Sequence, residues 1–528
     1  MKNIIDKNTL NLLPGEIIRL YDALNSKRQM QLEDINTVKS AIYRPLGRVQ
    51  DKNFKLPDIY EMAQTLKAHI LESLSSHPEG LFDVFPRDLK YSENASKQKT
   101  MLVCALENMK MADKLENIVD DLIECGESIV FIGWQKLYRK IRKAAEIEGK
   151  IAFVPENRLV YDGPTLKTIS PADFVFDTSV DFEKAAKIYH TKRPLSEVLE
   201  DKNNGYLTPE IREELAAGAK KTDDESAEKI DIIEFWGDIK SASGNIIENQ
   251  LVVIAQRRYV IRCEANPYMN CPFIYGNIIQ NPYTGRGISP LRAAIDLNMA
   301  ACDILNTQLK AYSLIVNPPY LAPKGAFQGE QNVKPGKIIE YDSALLPQMP
   351  TPLNFSQALC GWDFINYFKG SIESTTGVFR TMAGELNNQT RTATELEMTT
   401  NGQSVRLNMF LDVINRKIIV PVIQKTAETV ANFKLGSEYL LSRVCGELKV
   451  LEITDDVRFG DYVYRYSDKK ASMIRKSRQR ELVKLLGQFA NVEQLAPKIN
   501  WEECFRLALG EVGVENTQMY LQKGNLDV

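Results

Sequence analysis

Apolar residues recur at helical spacing through "PGEIIRLYDALNSKRQMQLEDINTVKSAIY" (residues 14–43) and "DIYEMAQTLKAHILESL" (58–74), so both are predicted to be helices. The Pro/Gly-marked stretch between them, "RPLGRVQDKNFKLP", reads as a loop. A third helical run, "TMLVCALENMKMADKLENIVDDLIEC" (100–125), has Gly126 as its stop. Residues 10 to 125 therefore read mainly as helices. The pattern then changes. "GESIVFIGWQK", "KIAFVPENRLVYD" and "TLKTISPADFVFD" are dominated by β-branched and aromatic residues, which predicts a sheet region from about 128 to 192. Two short helical pieces follow, "PLSEVLED" and "TPEIREELAAGAKK", and the charged run "KKTDDESAEK" reads as an exposed linker. Next comes a compact β-rich insertion beginning "IDIIEFWGD", with hairpin-like turns at Ser243-Gly244 and Asn266-Pro267.

The strongest helical signal begins at "GRGISPL". Ser289 is a helix cap, because its hydroxyl can take an orphan backbone N–H, and Pro290 suits the first helical position. Leu291, Ile295, Met299, Ile304, Leu305 and Leu309 then follow helical spacing, and the helix must end at Asn317, before Pro318-Pro319. At 1.5 Å per residue this is a rod of roughly 40 Å. A β-like stretch from "YLAPKGAF" to "VKPGKIIEYDS" leads to a helix through "DFINYFKGSIESTTGVFRTMAG". The polar run Glu385-Leu386-Asn387-Asn388-Gln389-Thr390-Arg391 interrupts this helical region. Thr392 and Glu395 form a capping box that restarts a helix, which runs to about Phe433 with a kink at Pro421. The last segment is again helical and opens with a basic patch: Lys469, Lys470, Arg475, Lys476, Arg478 and Arg480.

Length changes this picture only by dividing it. At ~150 residues per domain, 528 residues suggest three or four lobes. The net charge of −3 provides no global basic field for holding nucleic acid or an acidic membrane, which argues against a tight DNA binder. No pair among Cys104, Cys125, Cys263, Cys271, Cys302, Cys360, Cys445 and Cys504 has CxxC spacing, so free thiols in a reducing cytoplasm are expected. His69, His77 and His190 lie far apart and in no zinc-binding pattern, so neither a metal nor a cofactor is expected. The N-terminal stretch lacks a signal-peptide pattern, and runs such as "SIVFIGW" and "KIIVPVI" are far too short for a membrane span.

Candidate chemistry is thin. Gly285-Arg286-Gly287 before a helix could hold a phosphate, but the third glycine and the acidic partner are missing, so it reads as a flexible turn. Gly126-Glu127-Ser128 lacks the spacing of a nucleophile elbow. The basic patch 469–480 reads as a solvated helix face or a phosphate contact, with no interleaved aromatic residue for stacking bases.

The ordered set "DDLIECGESIVFI", "ISPADFVFD", "CPFIYGNIIQNPYTGRGISPL", "IVNPP" and "RTATELEM" resembles the portal protein (head-to-tail connector) of tailed bacteriophages, especially short-tailed ones, over roughly residues 100 to 435. The resemblance implies a mixed, helix-rich α+β fold and a structural, non-enzymatic role. It implies a ring of twelve subunits at one capsid vertex of the virion, assembled in the host cytoplasm. Double-stranded DNA would pass through the ring's channel, and terminase, capsid, scaffold and tail-adaptor proteins would be its partners. Carried over, the wing takes 1–193, the first stem helix 194–221, the clip 222–285, the second stem helix 286–317, the wing return 318–433 and the crown region 434–528. Within the wing return, 384–391 becomes the tunnel loop. Glu385, Asn387, Asn388, Gln389, Thr390 and Arg391 would face DNA there, with Thr392 and Glu395 restarting the helix. Lys469, Lys470, Arg475, Lys476, Arg478 and Arg480 would meet DNA or a neighbouring subunit. A head-tail adaptor, and an enzyme with a cryptic nucleotide site in the 128–280 β region whose nucleotide binding would be lost on changing Gly285 or Gly287, are the alternatives.

Overall fold

A computed structural model describes residues 6–43, 54–74, 80–147, 150–218, 228–316, 320–323, 338–341, 351–352, 362–378, 405–444 and 447–466. The fold is mixed α+β. Helices α1 (Lys7–Lys27), α2 (Gln29–Tyr43) and α3 (Asp58–Ser73) open the chain, followed by strand β1 (Phe82–Pro86) and helices α4 (Ser92–Asn108) and α5 (Met111–Glu124). The run predicted as one helix over 100–125 is thus two. Lys110 takes φ 55 between them, and the turn lets Leu102 and Leu106 of α4 join Leu115, Ile118 and Leu122 of α5 in one core.

Strands β2 (Glu127–Ile147) and β3 (Lys150–Ile169) form a long antiparallel hairpin, and β4 (Phe174–Phe176) and β5 (Lys187–Pro194) follow. Two short helices, α6 (Leu195–Glu200) and α7 (Pro209–Gly218), form where the sequence predicts two short helical pieces, within the segment that the resemblance assigns to a first stem helix. Strands β6 (Lys229–Lys240), β7 (Ile246–Ala255) and β8 (Tyr259–Ala265) come next, then β9 (Phe273–Asn277), β10 (Ile279–Gln280) and β11 (Gly287–Ile288). The expected insertion does not stand apart. β6, β7 and β8 extend the sheet begun by β4 and β5, in the order β4-β5-β6-β7-β8, and β9 pairs with β2. Burial explains the merger. Ile230, Ile232 and Trp236 of β6 face one core, while Ile233 and Phe235 face another that α1 covers with Leu13, Ile17, Tyr21 and Leu24. A strand buried on both faces by strict alternation needs neighbours and cover on each side.

Helix α8 (Arg292–Val316) is the predicted rod, and helix α9 (Trp362–Thr376) packs beside it. α9 stops earlier than predicted. Gly377 at φ +74 donates its N–H to Glu373 O at 2.8 Å and ends the helix. The helix through 405–433 carries a π turn at Asn415–Ile419, just before Pro421, where the sequence predicts a kink. There Val420 N–H bonds to Asn415 O, five residues back. The wider turn moves the carbonyl of residue 417 away from the proline ring, which would otherwise clash with it. A strand at Tyr462–Tyr466 returns to pair with β1. Both lie where the sequence shows helix or no clear pattern, and their partners are far apart in the chain.

The helical core carries one titratable cost. Asp121 sits in the last turn of α5, where burial raises its carboxyl to about 7, opposed by Lys39 and reinforced by Glu124 and Asp120. Because the folded value lies above the ordinary 3.8, ionising Asp121 works against the fold. That penalty is absent below about pH 4 and grows until about pH 7. Asp121→Asn is expected to raise stability at pH 8 by ~2–4 kcal/mol and to change it by less than ~1 kcal/mol at pH 4. Urea unfolding at the two pH values checks this, and equal shifts at both would contradict it.

Candidate functional site

The two glycine-containing motifs that seemed unrelated in sequence lock together in space. Gly126 (φ +78) lies so close to the chain entering α8 that a Cβ there would sit 2.1 Å from the carbonyl carbon of Ile288. Only glycine permits both the left-handed turn and that contact. Glu127, fully buried, accepts a bond from Gly287 N–H at 2.9 Å and another from Tyr275 OH at 2.8 Å. Its second oxygen lies 3.6 Å from the guanidinium of buried Arg286. Arg286 donates to Phe174 O at 3.1 Å and lies over the Phe176 ring at 4.1 Å. The same Phe174 carbonyl accepts from Arg28 Nη1 at 2.8 Å, and Arg28 also donates to Pro171 O at 2.7 Å and to Ala172 O. Burial, and next the nearby Arg286, lower the Arg28 guanidinium to about 10, so it remains charged at neutral pH. Burial and the Glu127 charge push the Tyr275 phenol well up, which keeps it protonated as the donor to that carboxylate.

Ser289 completes the entry to α8. Its hydroxyl accepts from Leu291 N at 3.2 Å and lies 2.6 Å from Ile123 O, to which it donates. Ser289 thereby caps the turn Ser289–Arg292 that precedes the helix and ties it to the end of α5, with Pro290 inside that turn. On the far side, the π turn presses onto β9. Ile418 sits over Gly276, where a Cβ would meet its Cγ1 at 2.2 Å, and Lys417 Nζ donates to Asn277 O at 3.3 Å and to Asn277 Oδ1. The root of α8 is therefore joined to α5, β2, β4 and β9, and β9 in turn carries the 405–433 helix.

This geometry removes the chemical readings of both motifs. The Gly287 N–H that a phosphate would need is given to a buried carboxylate, which would repel an anion. Ser128 is fully buried and its hydroxyl has no hydrogen-bond partner among the described residues, unlike an exposed nucleophile. The turn expected to be flexible is a packed joint. His190, which suggested nothing in sequence, hydrogen-bonds Tyr21 OH at 3.2 Å and Asp231, tying α1 to the sheet. Its bond holds the Asp231 carboxyl below its ordinary range.

Among the sequence-predicted site residues, only Ser289 and Pro290 fall in the described part of the chain. Glu385, Asn387, Asn388, Gln389, Thr390, Arg391, Thr392 and Glu395 lie outside the described residues, as do Lys469, Lys470, Arg475, Lys476, Arg478 and Arg480. The structure does place the flanks of the first group. Arg406, near the start of the returning helix, donates to Ser374 O at 2.9 Å and Thr375 O at 3.1 Å, so it caps the end of α9.

Neutralising Glu127 leaves two buried guanidinium groups without their carboxylate. Glu127→Gln is expected to cost about 3–5 kcal/mol, whereas Asp34→Asn, which breaks the exposed Arg292–Asp34 pair, should cost less than ~1 kcal/mol. Urea denaturation of the two variants checks the difference, and comparable losses would show that the joint is not held by this carboxylate.

No helix among the described residues is long and apolar enough to cross a membrane. No curated protein matches the chain. Among protein families, residues 112–450 match the one described as the phage SU10 portal protein, a span that contains Gly126, Glu127 and Arg286, the β4–β8 sheet, α8, α9 and the 405–433 helix. The chain therefore belongs to the phage SU10 portal protein family and is a structural protein of a tailed bacteriophage.

Proposed function

We propose that this chain is the repeating subunit of a ring at one vertex of the phage capsid, with an axial channel through which double-stranded DNA is packaged and later ejected. The observation that carries this reading is the family match over residues 112–450. The ring has about twelve copies, meets terminase and then tail-adaptor proteins at its outer end, and is embedded among capsid and scaffold proteins.

The surface of a single copy supports assembly. Only the first half of α8 is buried, at Ala294, Ile295, Asn298 and Ala301. Its second half exposes Leu309, Tyr312 and Val316, and neighbouring α9 exposes Phe364 and Tyr367, at 42–69% of their surface. An apolar stripe of that kind on paired helices is a surface that assembly covers. In this reading α8 is the second stem helix, held at its root by the Glu127 joint.

The polar stretch 384–391 is proposed as the tunnel loop. Each phosphate that a protein neutralises adds salt-dependent grip, so a channel that lets DNA slide needs few charges on its lining. Asn387, Asn388, Gln389 and Thr390 supply uncharged hydrogen-bonding groups, and Glu385 balances Arg391. The bond from Arg406 to the end of α9 supports a firm base for that segment. The basic patch 469–480 is assigned to contact with DNA or a neighbouring copy in the crown region.

Negative-stain imaging of the purified full chain is expected to reveal annular particles with rotational symmetry. A chain that stays monomeric under every assembly condition would overturn the ring. Deleting Asn387 to Thr390 is expected to leave the rings intact and to reduce DNA packaging or retention at least tenfold. Unimpaired packaging in that deletion would refute the tunnel assignment.

A further inference from the structure

The described side chains at 135–140 and 155–160 of the β2–β3 hairpin face solvent. β9 pairs with β2 over Glu127–Phe131, Ile132 N–H then bonds to Pro272 O at 2.9 Å and Trp134 N–H to the Tyr268 hydroxyl at 3.4 Å, and from Gln135 onward β2 is paired with β3 alone among the described residues. Residues 135–140 and 155–160 are all exposed, including the apolar side chains of Leu137, Tyr138, Leu159 and Val160. A lone two-stranded ribbon is at best marginally stable in water, and this one extends well past its sheet. Its charges are also arranged against its own stability. The register sets Arg139 directly opposite Arg158, with Lys140 and Arg142 next along β2. Like charges facing each other across a ladder repel. Lys136 is paired with Asp162 at 3.4 Å, but among the described residues Arg139, Lys140, Arg142 and Arg158 have no ion-pair partner. The repulsion and the bare apolar groups are both relieved if an acidic protein surface lies against the ribbon.

The chain carries such a surface. α6 and α7 are seated on the sheet by Val198 and Leu215, and they expose Glu197, Glu200, Glu210, Glu213 and Glu214. Among the described residues these five glutamates have no ion-pair partner either. Two unpaired patches of opposite sign on one chain suit a head-to-tail contact, which closes into a ring when the rotation allows. We propose that the basic ribbon of one copy docks on the acidic α6–α7 face of the next. This rests on the ring reading above and names one of the contacts that builds it. A duplex DNA would also satisfy the arginines. The second copy is the occupant favoured here because the complementary face is present in the same chain and because Leu137, Tyr138, Leu159 and Val160 call for cover that phosphates do not supply.

Three full-length variants test the contact by mass photometry and negative-stain imaging. One combines Arg139→Glu with Arg158→Glu, one combines Glu210→Arg, Glu213→Arg and Glu214→Arg, and the third carries all five changes. The altered positions are exposed, and circular dichroism confirms that each variant is folded. Each of the first two is expected to form at least tenfold fewer rings than the unaltered chain, and the third is expected to recover them. Unchanged assembly of the ribbon variant overturns the contact while leaving the ring reading in place. Loss in both partial variants without recovery in the third overturns it as well. An unaltered chain that never assembles removes both readings together. If the ribbon variant assembles normally but loses a gel shift with duplex DNA seen for the unaltered chain, the ribbon belongs to nucleic acid instead.

Discussion

One buried carboxylate organises the region from which the long helix departs. Glu127 neutralises Arg286, orients Tyr275 and takes the N–H of Gly287, while Arg28 and Arg286 share the Phe174 carbonyl. A buried ion pair adds little net stability over apolar packing, yet losing one partner is costly, because the other charge remains stranded. The joint therefore acts less as a source of stability than as a constraint on geometry. The carboxylate, the guanidinium fork and the left-handed turn at Gly126 are satisfied together only when α8 enters at one position and one angle.

That constraint suits a subunit whose long helix is anchored at one end. The first half of α8 is packed into the helical core, and the second half and α9 present apolar side chains outward. The structure thus keeps the buried part of α8 next to the joint and leaves exposed apolar side chains farther along the helix. The weak overall charge fits the same division of labour. In the proposed ring, a channel that lets a polyanion slide cannot grip it at many phosphates, and cohesion between copies would come from apolar and locally complementary charged surfaces.

The α+β class, the helical opening, the rod after Ser289 and the strand-rich middle were legible in the sequence, because each rests on periodicity within a single segment. Several elements were not. The extension of β2 through "LYRKIRKAAEI" has little strand pattern of its own and exists through its pairing with β3. β1 is formed by pairing with Tyr462–Tyr466, a partner no local signal can announce. The π turn was expressed in the sequence only as Pro421, and its position was decided by packing on Gly276. At the candidate site the residue types were visible as two weak glycine motifs, but each was weighed alone, and their shared function appears only when Gly126 meets Ile288.

By itself the sequence determined which segments could bury a face, where proline and glycine had to end them, and the ordered set of motifs that marks the family. Those properties depend on neighbouring residues and on local backbone sterics. Only the tertiary structure decided that Glu127 and Arg286 would be buried together, that β6, β7 and β8 would join β4 and β5 in one sheet, and that residues 135–140 and 155–160 of the β2–β3 hairpin would be exposed. These outcomes depend on which distant groups share the same low-dielectric space or the same ladder of hydrogen bonds, and no local pattern encodes that distance.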